Sequence, residues 1–148
     1  MIPRVEPPTV QILEQHTFAS KRAVIEAIGE AMLRVSAVTP AYIDGMLRKE
    51  EQANTIVTPE VALPHGTADV RDAVLRNSLV IAAIPEGLEW ASGQRVRLAI
   101  GFAGTGDDAH LRLLASVARV LSDEDLLGRL KAGTNLPPIE TIFDMTGG

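Results

Sequence analysis

Three histidines, His16, His65 and His110, are the side chains of this sequence whose unperturbed pKa lies near neutrality, and no cysteine is present. A neutral imidazole can act as nucleophile, base or metal ligand, so its surroundings decide which. His65 sits in Leu63-Pro64-His65-Gly66-Thr67, where Pro64 holds Leu63 extended while Gly66 adds backbone freedom and removes bulk beside the ring. An exposed imidazole at the end of a strand is the expected result. Ligand sites in open α/β sheets collect at such strand ends, although spacing alone leaves a functional and a structural histidine equally open. His110 follows the glycine-rich stretch Gly104-Thr105-Gly106 at the start of a helical pattern, where unpaired amides favour an anion such as phosphate. Asp107 and Asp108 compete for those amides as ordinary caps. His16, beside a proline-rich leader, reads as an exposed surface residue.

Other chemistries fit less well. Gly104 to Ala109 spells G-x-G-x-x-A, but two carboxylates would face a pyrophosphate and no clear strand follows to complete a dinucleotide-binding unit. A metal would require His65, His110 and Asp107 or Asp108 to converge, and neither H-x-x-x-H nor H-E-x-x-H occurs. No G-x-S-x-G elbow supports a serine hydrolase. The charges Arg48, Lys49, Glu50 and Glu51 at a helix end are by default a solvated surface.

The elements that must position these groups follow from the periodicity. Val24, Ile28, Ala31 and Val35 give a helix over 20–35 capped by Ser20, and Thr39-Pro40 opens a second helix reaching Glu51. Residues 55–58 and 61–63 read as short strands, and Ser78 to Ile84 as a strand buried on both faces. Pro85-Glu86-Gly87 and Ser92-Gly93 mark turns, and Arg95 to Phe102 is the second long strand. A helix is expected over 109–121 with Asp107-Asp108 as caps, then a short one opened by a Ser122/Asp125 capping box, and a last one after Pro137-Pro138. The fold class expected is α/β: a single domain over 10–148, behind a flexible leader at 1–9, with a small mixed, partly parallel sheet flanked by helices on both faces.

Composition agrees with one such domain of 148 residues. With 46% hydrophobic residues but only Phe18, Tyr42, Trp90, Phe102 and Phe143 as aromatics, the core must be aliphatic. A net charge of −5 gives no reason to seek a nucleic-acid backbone. The absence of a signal-peptide pattern or a long apolar run predicts a soluble, cytoplasmic protein with no membrane insertion.

The segment Val61-Ala62-Leu63-Pro64-His65-Gly66-Thr67 resembles the enzyme IIA component of the mannitol/fructose class of the bacterial phosphoenolpyruvate-dependent sugar phosphotransferase system. The likeness continues through Tyr42 to Glu50, Ile84-Pro85-Glu86-Gly87, Leu98 to Gly101, Ala109-His110-Leu111 and Leu121 to Glu124, covering about Phe18 to Gly133. It implies a phosphohistidine relay without cofactor or metal. The carrier protein HPr would give a phosphoryl group to His65, as a tele-phosphohistidine, and a IIB component associated with a membrane IIC permease would receive it. His110 falls on the family's second active-site histidine, with Lys49, Gly66 and Thr67 as binding residues. Position 49 is usually arginine in the mannitol branch, and lysine loses the two-pronged geometry. Thr67 points to mannitol rather than fructose as the sugar. The alternative is a regulatory, phosphorylatable IIA-like module controlling a transporter, kinase or transcription factor.

Overall fold

A computed structural model of the chain describes residues 7–137 and Ile142. In chain order it holds β1 (Thr9–Ile12), α1 (Lys21–Arg34), α2 (Pro40–Gln52), β2 (Ile56–Thr58), β3 (Glu60–Ala62), a 3-10 segment (Ala68–Ala73), β4 (Ser78–Ala91), β5 (Gln94–Ala103), α3 (Asp107–Leu121) and α4 (Glu124–Ala132). The strands form one mixed sheet in the order β1-β4-β5-β3-β2. β1 runs parallel to β4 and β3 parallel to β5, while the β4/β5 and β2/β3 pairs are antiparallel.

Helices cover both faces, as the continuous apolar runs require. Alternation along β4 sends Val80, Ala82 and Ile84 into a cluster with Val24, Ile28, Met32 and Met46 of α1 and α2. Leu79 and Ile81 go the other way, packing with Leu98, Ile100 and Phe102 of β5 and with Leu113, Val117 and Leu130 of α3 and α4. Both cores are mainly aliphatic.

Ser20 caps α1, its hydroxyl accepting from the Ala23 amide at 3.1 Å, and Pro40 begins α2 after Thr39. Two expected caps are corrected. Gly106, not Asp107 or Asp108, precedes α3; both acids lie inside its first turn, so Asp107 is free to pair with Arg71. Asp123, not Ser122, caps α4 by accepting from the Leu126 amide at 3.1 Å, because the Ser122 hydroxyl donates back to the Ala118 carbonyl and closes α3.

Pro85-Glu86-Gly87 is no turn. β4 runs on to Ala91 through a register shift between Ala83 and Leu88, with Gly87 at φ 80° inside the irregularity. Side chains of β5 replace the lost ladder: Arg95 donates to the carbonyls of Glu86 and Gly87 at 2.9 and 3.0 Å, and Arg97 to that of Pro85 at 2.9 Å. The hairpin instead closes at Ser92-Gly93, as expected. β1, not expected as a strand, begins at the last residue of the expected leader. Residues 1–6 of that leader and the helix expected after Pro137-Pro138 lie outside the described residues, apart from Ile142. His16 is half-buried rather than exposed, its ring packed beside Gly133 at the end of α4.

Candidate active site

Topology brings the two candidate histidines together. Because β3 and β5 are parallel neighbours, the loops after their C-terminal ends emerge side by side, one carrying His65 and the other leading into α3 and His110. The ring centroids of His65 and His110 are 5.9 Å apart in an edge-on arrangement. Phe102 packs on both, at 4.9 and 5.1 Å.

The loop after β3 is held by a chain of hydrogen bonds. The Phe102 amide donates to the Pro64 carbonyl at 3.1 Å. The Tyr42 hydroxyl donates to the Phe102 carbonyl at 2.9 Å and accepts from the Gly66 amide at 3.0 Å. Burial raises the Tyr42 phenol to about 12, so it stays a donor throughout the neutral range. The Gly66 amide is thus committed to Tyr42. Nor does Gly66 adopt the left-handed backbone that its freedom would allow; a Cβ there would lie 2.6 Å from the Tyr42 ring, so close approach is what requires glycine.

His65 Nδ1 lies 2.8 Å from the Leu63 carbonyl oxygen. A carbonyl only accepts, so Nδ1 carries the proton and Nε2 keeps its lone pair. Burial pushes the His65 pKa below its ordinary value; the nearby Lys49 charge adds to the fall, while the Leu63 bond and Glu50 oppose it. His110 is lowered too, first by burial and then by His65 and Arg71. Both rings are neutral at pH 7.

They line an open cleft of about 460 Å³ with Lys49, Thr67, Arg71 and Gly106. Lys49, half-buried, comes from the last turn of α2 and makes no ion pair among the described residues. Thr67 is buried beneath the loop and precedes the 3-10 segment. Each expected site residue, His65, His110, Lys49, Gly66 and Thr67, therefore borders this cleft. Its net character is cationic and hydrogen-bonding, suited to a small anion beside a nucleophilic nitrogen.

Three contributors escaped the sequence reading. Arg71 lies in a stretch to which no element was assigned. Asn77, read only as a strand boundary, is buried and accepts from the Thr105 amide at 2.9 Å, fixing the glycine-rich loop. Glu50, read as solvated, is 5% exposed behind Lys49. A polar residue punctuating an apolar run was the available signal for Asn77. Nothing local marks the other two.

The model for the phosphoenolpyruvate-dependent sugar phosphotransferase system EIIA 2 family matches residues 8–143. The chain belongs to that family. Among EIIA relatives, the mannitol-specific phosphotransferase enzyme IIA component of Staphylococcus aureus is 34% identical over 84% of this chain and 85% of its own length. The multiphosphoryl transfer protein of Salmonella typhimurium is 36% identical over 84% of this chain, which spans only 33% of that protein. Of solved EIIA structures, IIA mannitol from Escherichia coli superposes with TM-score 0.73 at 30% identity, covering 81% of this chain and 86% of that one. The same organism's IIA solved in complex with phosphorylated IIB gives 0.79 at 27% identity, covering 89% and 92%. The mixed sheet with helices on both faces is the fold of these EIIA proteins. Among the described residues, no helix is long and apolar enough to cross a membrane.

Proposed function

We propose that this chain is a phosphoryl carrier of a sugar phosphotransferase system, with His65 Nε2 as the atom that takes and surrenders the group. The observation that carries this reading is the Nδ1–H bond to the Leu63 carbonyl, which leaves Nε2 as the basic nitrogen of a neutral ring beside a cationic cleft. In the forward step the P–N bond of phospho-HPr breaks, its electron pair stays with the donor's imidazole, and Nε2 forms the new P–N bond. His65 loses no proton. The positive character left on the phosphorylated ring sits at Nδ1–H, where the Leu63 carbonyl stabilises it. His110 and Lys49 supply donors and charge to the phosphoryl oxygens, and Thr67 walls the cleft; no cofactor or metal takes part. Gly66 contributes space rather than its amide.

The acceptor is a IIB component working with a IIC permease, in the cytoplasm. The E. coli relative solved with phosphorylated IIB supports that partner, and the mannitol-specific relatives favour mannitol as the sugar. Incubation with phosphoenolpyruvate, enzyme I and HPr should give acid-labile, alkali-stable label on the wild type and none on His65→Ala. Equal labelling of the two would overturn the reading.

A further inference from the structure

Arg71 and Lys49 are the basic side chains that line the cleft, and the carrier reading has used only Lys49. Arg71 lines the same space as His65, His110 and Lys49, and its charge lowers the pKa of His110. Its guanidinium is paired with the Asp107 carboxylate in the first turn of α3. Both partners are well exposed, with 57% and 74% of their side chains accessible, so the pair is of the weak, solvent-screened kind. By contrast, a guanidinium meeting a dianionic phosphoryl group makes short, two-pronged, charge-assisted bonds. A phosphoryl group on His65 would therefore compete well for Arg71.

We infer that Arg71 is a phosphoryl-binding residue that exchanges Asp107 for the group carried on His65, so that charging the carrier unties the 3-10 segment from the start of α3. This deepens the carrier reading and rests on it. Two features make the exchange feasible. Gly106 gives α3 no side-chain cap, so the Arg71 pair is a side-chain tie between the 3-10 segment and α3's first turn that can be given up at small cost. Of the two acids on the 3-10 segment, Asp69 is taken by Arg48 at 3.1 Å and Asp72 makes no ion pair with Arg71 among the described residues, so neither holds the guanidinium. The partners would then meet different surfaces: an α3 start clamped through Asp107 before loading, and one released after it.

The test measures the phosphorylation equilibrium of the full chain against HPr for wild type, Arg71→Gln, Arg71→Lys and Asp107→Asn. Phosphoramidate serves as a second donor that needs no protein partner: its P–N bond breaks, Nε2 takes the phosphoryl group, and ammonia leaves. Arg71→Gln should shift the equilibrium about tenfold away from the phosphorylated form, Arg71→Lys less, and Asp107→Asn about threefold toward it by freeing the guanidinium. Exchange of the His110 amide, which donates to the Gly106 carbonyl at 2.9 Å, should quicken on phosphorylation of the wild type and not of Arg71→Gln. Unchanged equilibria with both donors, or unchanged exchange, would overturn the role of Arg71. Labelling by phosphoramidate but not by phospho-HPr would overturn only the donor assignment, and failure of His65 to label with either would overturn both.

Discussion

Lys49 and Glu50 are neighbours on α2, yet they belong to two regions built on opposite principles. Glu50 is buried, and its carboxylate accepts from the Thr55 amide and hydroxyl at 3.2 and 2.8 Å and from the Trp90 indole, with Lys21 Nζ at 4.0 Å. Lys21 also lies over the Trp90 ring, 5.9 Å from its centre. Every oxygen there is satisfied, so the group ties α1, α2 and β4 together and has nothing left to offer a ligand. Lys49, one residue earlier, enters the cleft with no ion pair among the described residues, beside two imidazoles, an arginine held by an exposed acid, and Asp69. Saturated charge marks structure, and weakly held charge marks a site.

The sharpest way to break this contrast is Glu50→Ala. Removing the carboxylate strands the Trp90 and Thr55 donors, so unfolding should be easier by about 3 kcal/mol, read as a lower urea midpoint. Below that midpoint His65 should still accept phosphate. Unchanged stability would mean that the buried knot is not structural. Arg71→Gln, on the exposed pair, should move the same midpoint by under about 0.5 kcal/mol.

Tyr42→Phe comes next, because Tyr42 stands where structure and site meet. Its hydroxyl joins the Gly66 amide to the Phe102 carbonyl, and its loss leaves two inward polar groups without that partner. A loss of about 1–2 kcal/mol is expected, together with slower labelling of His65 as the loop loosens over Phe102. Slower labelling without a stability change would place Tyr42 wholly in the site.

Much of this is legible in the sequence. The long apolar runs fixed a sheet buried on both faces, and Pro64-His65-Gly66 with His110 marked the chemistry. What could not be read was pairing at a distance. The parallel contact of β3 with β5, which alone makes His65 and His110 neighbours, leaves no local trace in either segment. Pro85 and Gly87 spell a turn by composition, but Arg95 and Arg97 on the facing strand satisfy the carbonyls and let β4 continue. Glu50 looks solvated in the run Arg48 to Glu51 because its partners lie 5 and 40 residues away. Spacing shows which residues are available for chemistry; only tertiary contacts show which charges are already spent.

The smallest effect is the most specific to the cleft. His65 has its pKa below the ordinary 6.5, chiefly through burial, so the neutral ring persists to lower pH than in an unfolded chain. The rate of labelling by phosphoramidate, divided by that of N-acetylhistidine under the same conditions, should therefore rise as pH falls through 6.5, because the free compound loses its nucleophile first. For stability the sign is also set: the unfolded chain binds more protons than the folded one in this window. The contribution from His65 is complete above 6.5 and declines as pH falls toward the depressed folded value, and His110 adds in the same direction. Replacing both rings by glutamine should flatten the urea midpoint across that window, whereas Glu50→Ala should lower it without flattening it. A double variant that keeps the wild-type slope would place the responsible protons outside the cleft.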